Sequence, residues 1–170
     1  MGAALLDLYG YHAWANRDLL EALEPLPDPA ASTARRILNH AFVVAEIFSA
    51  HLQSTGHSHK VDNTNETPSL ESLRQGVTAL DRWYLNYVHH LSSGDLAEFV
   101  PFVFTDGDKG YMSRSEILMH VVLHTAIHRG EVERLLSQHS ITPPWDTFAV
   151  YLHSSQPARR RQEPSAAPER

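Results

Sequence analysis

The chain has 170 residues, a formal net charge of −6 and no cysteine. The absence of cysteine excludes disulfides, thiolate zinc sites and a cysteine nucleophile, so nitrogen and oxygen atoms must hold any bound metal. Arginines outnumber glutamates in residues 154–170, so the remainder of the chain is more acidic than the whole. This balance argues against a folded surface that binds nucleic acid.

Length and hydropathy predict one compact domain. Hydrophobic residues make up 42% of the chain, which suffices for a sizeable core. No apolar run reaches the roughly 20 residues that span a bilayer, and the N-terminus lacks the pattern of a signal peptide. We therefore expect a cytoplasmic protein that does not associate with membranes, with one domain over residues 1–153 and a disordered tail over residues 154–170.

Apolar residues recur at three- and four-residue intervals in four segments, each predicting a long helix. These segments run from Ala3 to about Leu23, from about Ala30 to Leu52, from about Pro68 to Leu91, and from just after Ser113 or Ser115 to about Gln138. Thr67 or Ser69 is expected to cap the third helix, and Ser113 or Ser115 the fourth, with Glu116 in its first turn. Four long helices predict an all-α bundle.

The connections differ in length. The polar stretch 53–67 is long enough to cross over the bundle. Residues 99–104 and 109–113 flank the turn-forming 105–108 and predict a short hairpin, in which Pro101 belongs to an edge strand. A short apolar segment, 148–153, is expected to pack across one end of the bundle.

The segment 120–131 carries the strongest chemical signal. His120, His124 and His128 recur every four residues, and a four-residue step leaves neighbouring side chains only about 40° apart around a helix. We interpret His124 and His128 as a metal-binding pair, with hydrogen-bonded structural histidines as the alternative. The pair is expected on a strongly buried helix because it is flanked by apolar residues, namely Val121, Val122, Leu123 and Ile127.

A third ligand must come from another helix. His40 is the best candidate because it lies within the apolar stretch 37–48, and three imidazoles leave a coordination position open, as catalytic sites do. His120 is expected to support the site indirectly. His12 and His51 are weaker candidates, interpreted as capped by carbonyl groups. The remaining histidines are expected to be solvated; they are His57, His59, His89, His90, His139 and His153.

Three neighbours of the histidine series have competing interpretations. Glu131 lies in the next turn, where its carboxylate could orient an imidazole or accept a proton. The alternative is a salt bridge to Arg134 or Arg35. We interpret Arg129 and Gly130 as packing residues, the glycine allowing another helix to approach closely.

Four segments, taken in order, resemble the DinB / YfiT-like family of metal-dependent proteins. They are 9-YGYHAWANRDLL-20, 37-ILNHAFVVAEIF-48, 120-HVVLHTAIHRGE-131 and 143-PPWDTFAVYL-152. The resemblance covers most of the chain, and the third segment is the specific one. The family's motif usually has glutamine at the position of Glu131 and often asparagine at that of Leu123.

The resemblance implies an antiparallel four-helix bundle with a long crossover, often dimeric, whose histidine triad binds a divalent metal such as zinc or nickel. Carried onto matching positions, the triad falls on His40, His124 and His128, and we expect a homodimer. Some relatives are S-transferases that use low-molecular-weight thiols, and others are thiol-dependent isomerases.

Three functional hypotheses follow. The first is a metal-dependent thiol S-transferase that acts on a small-molecule substrate with a low-molecular-weight thiol as cosubstrate. The second is a metal-dependent hydrolase with Glu131 as general base. The third is a metal-binding stress-response protein without catalysis, in which the ion stabilises the bundle by binding only the folded state.

Overall fold

The computed structural model describes residues 2–63 and 67–158. Its helices are α1 (Gly2–Ala22), α2 (Ala30–Leu52), α3 (Leu70–His90), α4 (Ser93–Ala97), α5 (Arg114–Gln138) and α6 (Phe148–Ser155), and its strands are β1 (Phe99–Val103) and β2 (Lys109–Ser113). The predicted all-α class, hairpin included, is confirmed, and each long helix begins and ends within two residues of its prediction. The single-turn α4 was not predicted, because five residues are too few to show a period.

Capping side chains set the starts of the two later long helices. Ser69 accepts a hydrogen bond from the backbone N–H of Ser72 and caps α3. Ser113 and Glu116 form a reciprocal capping box at the start of α5, which satisfies two backbone donors that would otherwise lack partners. Ser69 and Ser113 are therefore the caps, in preference to Thr67 and Ser115.

The long helices form two antiparallel pairs, α1 with α3 and α2 with α5, which share the most extensive contacts. In the second pair, the ring of His40 lies 4.8 Å from that of His128, and the ring of Phe48 lies 4.8 Å from that of His120. The crossover after α2 makes α2 and α3 parallel: the Tyr84 hydroxyl donates to the Ala45 carbonyl, and the Tyr87 hydroxyl to that of Leu52.

The core has two apolar clusters, one toward each end of the bundle. Between them lies a buried polar group. Arg129 of α5 donates to Asn16 of α1, and Asn16 donates to both carboxylate oxygens of Asp81 of α3. This group ties three helices together at mid-height, where every buried polar atom needs a partner.

The hairpin lies against the α2–α5 side of the bundle. Strands β1 and β2 are antiparallel, with Pro101 opposite Tyr111. Val100 and Phe102 point into the core while their neighbours are exposed, because successive strand residues face opposite sides. Phe102 thereby contacts Phe48 of α2, and the hairpin closes one side of the space between α2 and α5.

The prediction that the last apolar segment packs across one end of the bundle is wrong, because its helix lies against the middle of α1, beside Tyr11. Helix α6 packs on α1, where the Tyr151 hydroxyl approaches Gly10 so closely that a Cβ there would clash. It extends to Ser155, two residues into the segment predicted to be a tail. Residues 159–170 lie outside the described residues. Within the described part of the chain, no helix is long and apolar enough to cross a membrane.

Candidate metal centre

Helices α2 and α5 bring His40, His124 and His128 together. The ring centroids lie 5.1 Å apart for His40 and His124, 4.8 Å for His40 and His128, and 4.6 Å for the two rings of α5. One ring nitrogen from each residue lies within 4.8 Å of the other two. The structure thus places the three predicted residues in one cluster; their role as metal ligands stays a prediction.

Two of the three imidazoles are oriented by an outer partner. The Nδ1 atom of His40 lies 2.9 Å from the carbonyl oxygen of Asp62, and Nδ1 of His128 lies 3.0 Å from Oε2 of Glu131. Because a carbonyl or carboxylate oxygen accepts, Nδ1 of each ring carries the proton. In the neutral ring Nε2 then carries a free lone pair. This is the tautomer in which Nε2 can bind a metal.

Nitrogen atoms face each other across the cluster. Nε2 of His128 lies 3.3 Å from Nε2 of His124, and Nδ1 of His124 is buried with no hydrogen-bond partner among the described residues. Burial, and then the charges of His128, His40 and His120, lower the pKa of His124 to about 4. At neutral pH this imidazole is therefore uncharged and able to coordinate a cation.

The donor set fits a divalent transition metal. Three imidazole nitrogens suit zinc, nickel, copper or iron, whereas calcium and magnesium prefer oxygen. Without a metal the two facing Nε2 atoms of His124 and His128 can share one hydrogen bond, whereas a cation among the rings would take a lone pair from each. Three protein ligands would leave at least one position for an exogenous molecule.

Glu131 contacts the ligand candidate His128. The predicted alternative, a salt bridge to Arg35 or Arg134, is not among the ion pairs of the described residues; Arg35 instead lies 3.9 Å from Asp28. Of the two functional roles weighed for Glu131, the geometry matches the orienting one. Its carboxylate lies against Nδ1, the side of the ring away from the cluster.

His120 lies beside the cluster without completing it. Its ring centroid is 5.5 Å from that of His124 and 4.8 Å from that of Phe48. Burial lowers the pKa of His120. This histidine lines a cavity of about 200 Å³ that also reaches His124.

The cavity lies between α2, α5 and the hairpin, and its wall is mainly apolar. It is lined by Val44, Ile47, Phe48, His51, Asp62, Phe102, Phe104, Thr105, His120 and His124. The aromatic rings come from α2 and β1 and from the residue just after β1. We call this space the α2–α5 cavity. It offers a small molecule a route to the imidazole of His124.

Several expectations about neighbouring residues are wrong. Leu123 and Ile127 are 60% and 64% exposed, so they do not pack in the core. The buried face of α5 carries Val121 and Val122 instead. Gly130 has open space where a Cβ would lie, so none of the helices described above approaches it closely.

Three polar residues have partners other than those expected. The Nε2 atom of His12 faces the Asp81 carboxylate at 3.3 Å and not a carbonyl group. His51 stacks on Phe102. Arg129, interpreted as a packing residue, is buried and donates to Asp146, Asn16 and Tyr11. Sequence reasoning also missed Asp62, whose backbone oxygen carries no residue-type signal.

Comparison with known proteins finds a sequence family and a solved structure to which this chain is similar. The sequence model of the DinB family matches residues 1–163. The crystal structure of a DinB-like protein from Bacillus cereus ATCC 10987 superposes with a TM-score of 0.61 at 20% sequence identity, covering 82% of this chain and 93% of the other. At that identity the likeness shows a shared fold. No curated protein matches the chain.

Proposed function

The chain belongs to the DinB family, and from that premise we propose that it is a metal-dependent enzyme of the thiol S-transferase type. His40, His124 and His128 are the metal ligands in this proposal, and Zn²⁺ or Ni²⁺ is the ion. The observation that carries it is the meeting of three ligand nitrogens within 4.8 Å of one another, one of them from His124, which lines the α2–α5 cavity.

The bound ion would supply Lewis acidity, which lowers the pKa of a coordinated thiol so that a thiolate forms near neutral pH. The chain itself has no cysteine to act as nucleophile, so the thiol is a low-molecular-weight cosubstrate. Asp62 and Glu131 hold the rings of His40 and His128 in the ligating orientation. Phe48, Phe102 and Phe104 give the cavity an apolar wall that suits a small electrophilic substrate.

The hydrolase hypothesis finds less support. It needs a general base on the open side of the cluster, whereas Glu131 contacts the outer nitrogen of His128. The non-catalytic hypothesis shares the same ligands and differs only in turnover. The homodimer and the cytoplasmic location stay predictions; light scattering on the purified chain tests the first.

The test is a turnover assay with a defined panel. Untagged protein loaded with Zn²⁺ or Ni²⁺ is incubated with glutathione, bacillithiol or mycothiol and the chromogenic electrophile 1-chloro-2,4-dinitrobenzene. Metal-free protein and the loaded His89→Ala variant, altered at an exposed histidine of α3, are the controls. The proposal expects a thiol-dependent rate that is lost in His124→Ala and retained in His89→Ala. Rates equal to those of metal-free protein with every thiol contradict it.

A further inference from the structure

A second group of imidazoles lies at the C-terminal end of α2, where His51 meets the loop that follows. The ring centroids of His51 and His57 are 5.3 Å apart in an edge-on arrangement, and those of His57 and His59 are 6.2 Å apart. His57 and His59 were expected to be solvated. Both are half-buried instead, because the loop folds back on α2.

Two nitrogen atoms of this group are buried without a partner. Nε2 of His51 and Nδ1 of His57 have no hydrogen-bond partner among the described residues. Burying an imidazole nitrogen without a partner is costly, and here two such atoms belong to rings in contact. One shared ligand between them would satisfy both.

Neighbouring side chains hold the first of these rings in place. The ring of His51 stacks on Phe102 at 5.1 Å and meets Phe48 edge-on at 5.9 Å. Its orientation is therefore set by packing before any ligand binds. Burial, and then the neighbouring His57, lower the pKa of His51, which keeps the ring neutral at pH 7.

A carboxylate completes the group. Oε2 of Glu46 lies 3.1 Å from Nε2 of His59. This pair places a negative charge beside the rings of His51 and His57, which favours a cation there. The second group thus combines two imidazole nitrogens without partners and a nearby carboxylate.

We propose that His51 and His57 form a second, weaker site for a divalent transition metal, with the Glu46–His59 pair beside it. Imidazole nitrogens select zinc, nickel or copper over calcium and magnesium. Among the described residues only the triad presents three ligand atoms within 4.8 Å of one another. The second site therefore offers two protein ligands, and water fills the remaining positions, which makes its affinity lower than that of the triad.

Metal stoichiometry tests the proposal without reference to activity. Untagged full-length protein is stripped of metal and dialysed against increasing Ni²⁺, and bound nickel per chain is measured by elemental analysis. Wild-type protein should bind a second equivalent at higher Ni²⁺ concentration than the first. His57→Ala should lose that second equivalent and keep the first. This loop residue lies outside both core clusters, and His89→Ala is the matched control.

The rate of proteolysis within the loop after α2 gives an independent measurement of metal binding at the second site. Nickel at the second site links residue 57 to α2, so proteolysis within residues 53–63 should slow on nickel addition in wild type and His89→Ala but not in His57→Ala. The proposal is overturned if wild type binds one equivalent or none, since a shared water then satisfies the two nitrogens. It is equally overturned if His57→Ala binds and is protected as wild type is.

Discussion

Oε2 of Glu131 lies 3.0 Å from Nδ1 of His128, three residues before it on α5, while Nε2 of the same ring faces His124 at 3.3 Å. The two contacts use opposite nitrogens of one imidazole. The carboxylate therefore fixes the tautomer and the ring orientation, and it increases the basicity of the nitrogen that faces the cluster.

Replacing Glu131 should weaken metal binding without removing a ligand. Removal of such an outer partner typically costs 10–100-fold in metal affinity, and we expect about that loss in Glu131→Leu. Glu131→Gln should lose less, because its amide oxygen still accepts from Nδ1. Competition titration of Zn²⁺ against a chromophoric chelator measures both. Glu71→Gln, at an exposed position of α3, should bind as wild type does; an equal affinity in Glu131→Leu would show that the carboxylate orients nothing.

Metal binding at the triad should stabilise the fold, because the three ligands join α2 to α5. A ligand at 100 times its dissociation constant adds about 2.7 kcal/mol to the free energy of unfolding. For a chain of this size that corresponds to a rise in Tm of roughly 5–10 °C. Thermal unfolding with Zn²⁺ and with chelator measures the difference. His124→Ala should show almost none of it, and a rise of the same size in that variant would assign the stabilisation to another site.

Helical periodicity predicted the histidine pair on α5 but not the whole triad. His40, His124 and His128 lie in stretches whose apolar spacing predicts two helices, and the four-residue step places the last two on one face. The pairing of α2 with α5 did not follow from periodicity, since any two amphipathic helices satisfy it. The choice of His40 depended on its apolar surroundings, and the ring distances agree with it.

The supporting contacts were not predictable in the same way. Asp62 acts through its backbone oxygen, and His57 contacts His51 only because the polar loop folds back. A local pattern carries no information on such long-range loop contacts. The prediction that Leu123 and Ile127 are buried was wrong for a different reason. Apolar residues occur on both faces of α5, so composition does not identify the buried face.

The buried guanidinium of Arg129 should be essential for stability. It donates to Asp146, Asn16 and Tyr11 and is 2% exposed. Removing one partner of a buried ionic network typically costs 3–5 kcal/mol, and we expect about that loss in Arg129→Ala. Arg129→Lys should not restore it, because an ammonium cannot reach three partners in the same planar fork. Urea unfolding measures the loss.

The exposed Arg134 on the same helix provides the control for Arg129. Arg134→Ala should change the free energy of unfolding by less than about 0.5 kcal/mol, as surface substitutions usually do. If Arg129→Ala lowered the free energy of unfolding by no more than Arg134→Ala, the hydrogen bonds of the buried polar group at mid-height would not contribute to stability.

Glu133 should make stability depend on pH around neutrality. Burial, and then the neighbouring carboxylate of Asp146, raise the pKa of Glu133 to about 7 from its ordinary 4.5. Between these values the folded chain holds a proton that the unfolded chain has released. The free energy of unfolding therefore falls as pH rises from about 4.5 to about 7. His124, whose pKa is lowered to about 4, contributes the opposite slope between about 4 and 6.5.

The contributions of Glu133 and His124 to the pH dependence of stability partly cancel in wild type. The contribution of Glu133 is therefore obtained by comparing wild type with a variant that lacks its carboxylate. Urea unfolding of metal-free wild type and Glu133→Gln is measured at half-unit steps from pH 4.5 to 7.5. The variant should gain stability relative to wild type steadily as pH rises, because its amide releases no proton. Glu21→Gln, at an exposed position of α1, should run parallel to wild type. A constant difference between wild type and Glu133→Gln across this range would contradict the prediction, because it would mean that Glu133 ionises at its ordinary pKa in the folded chain.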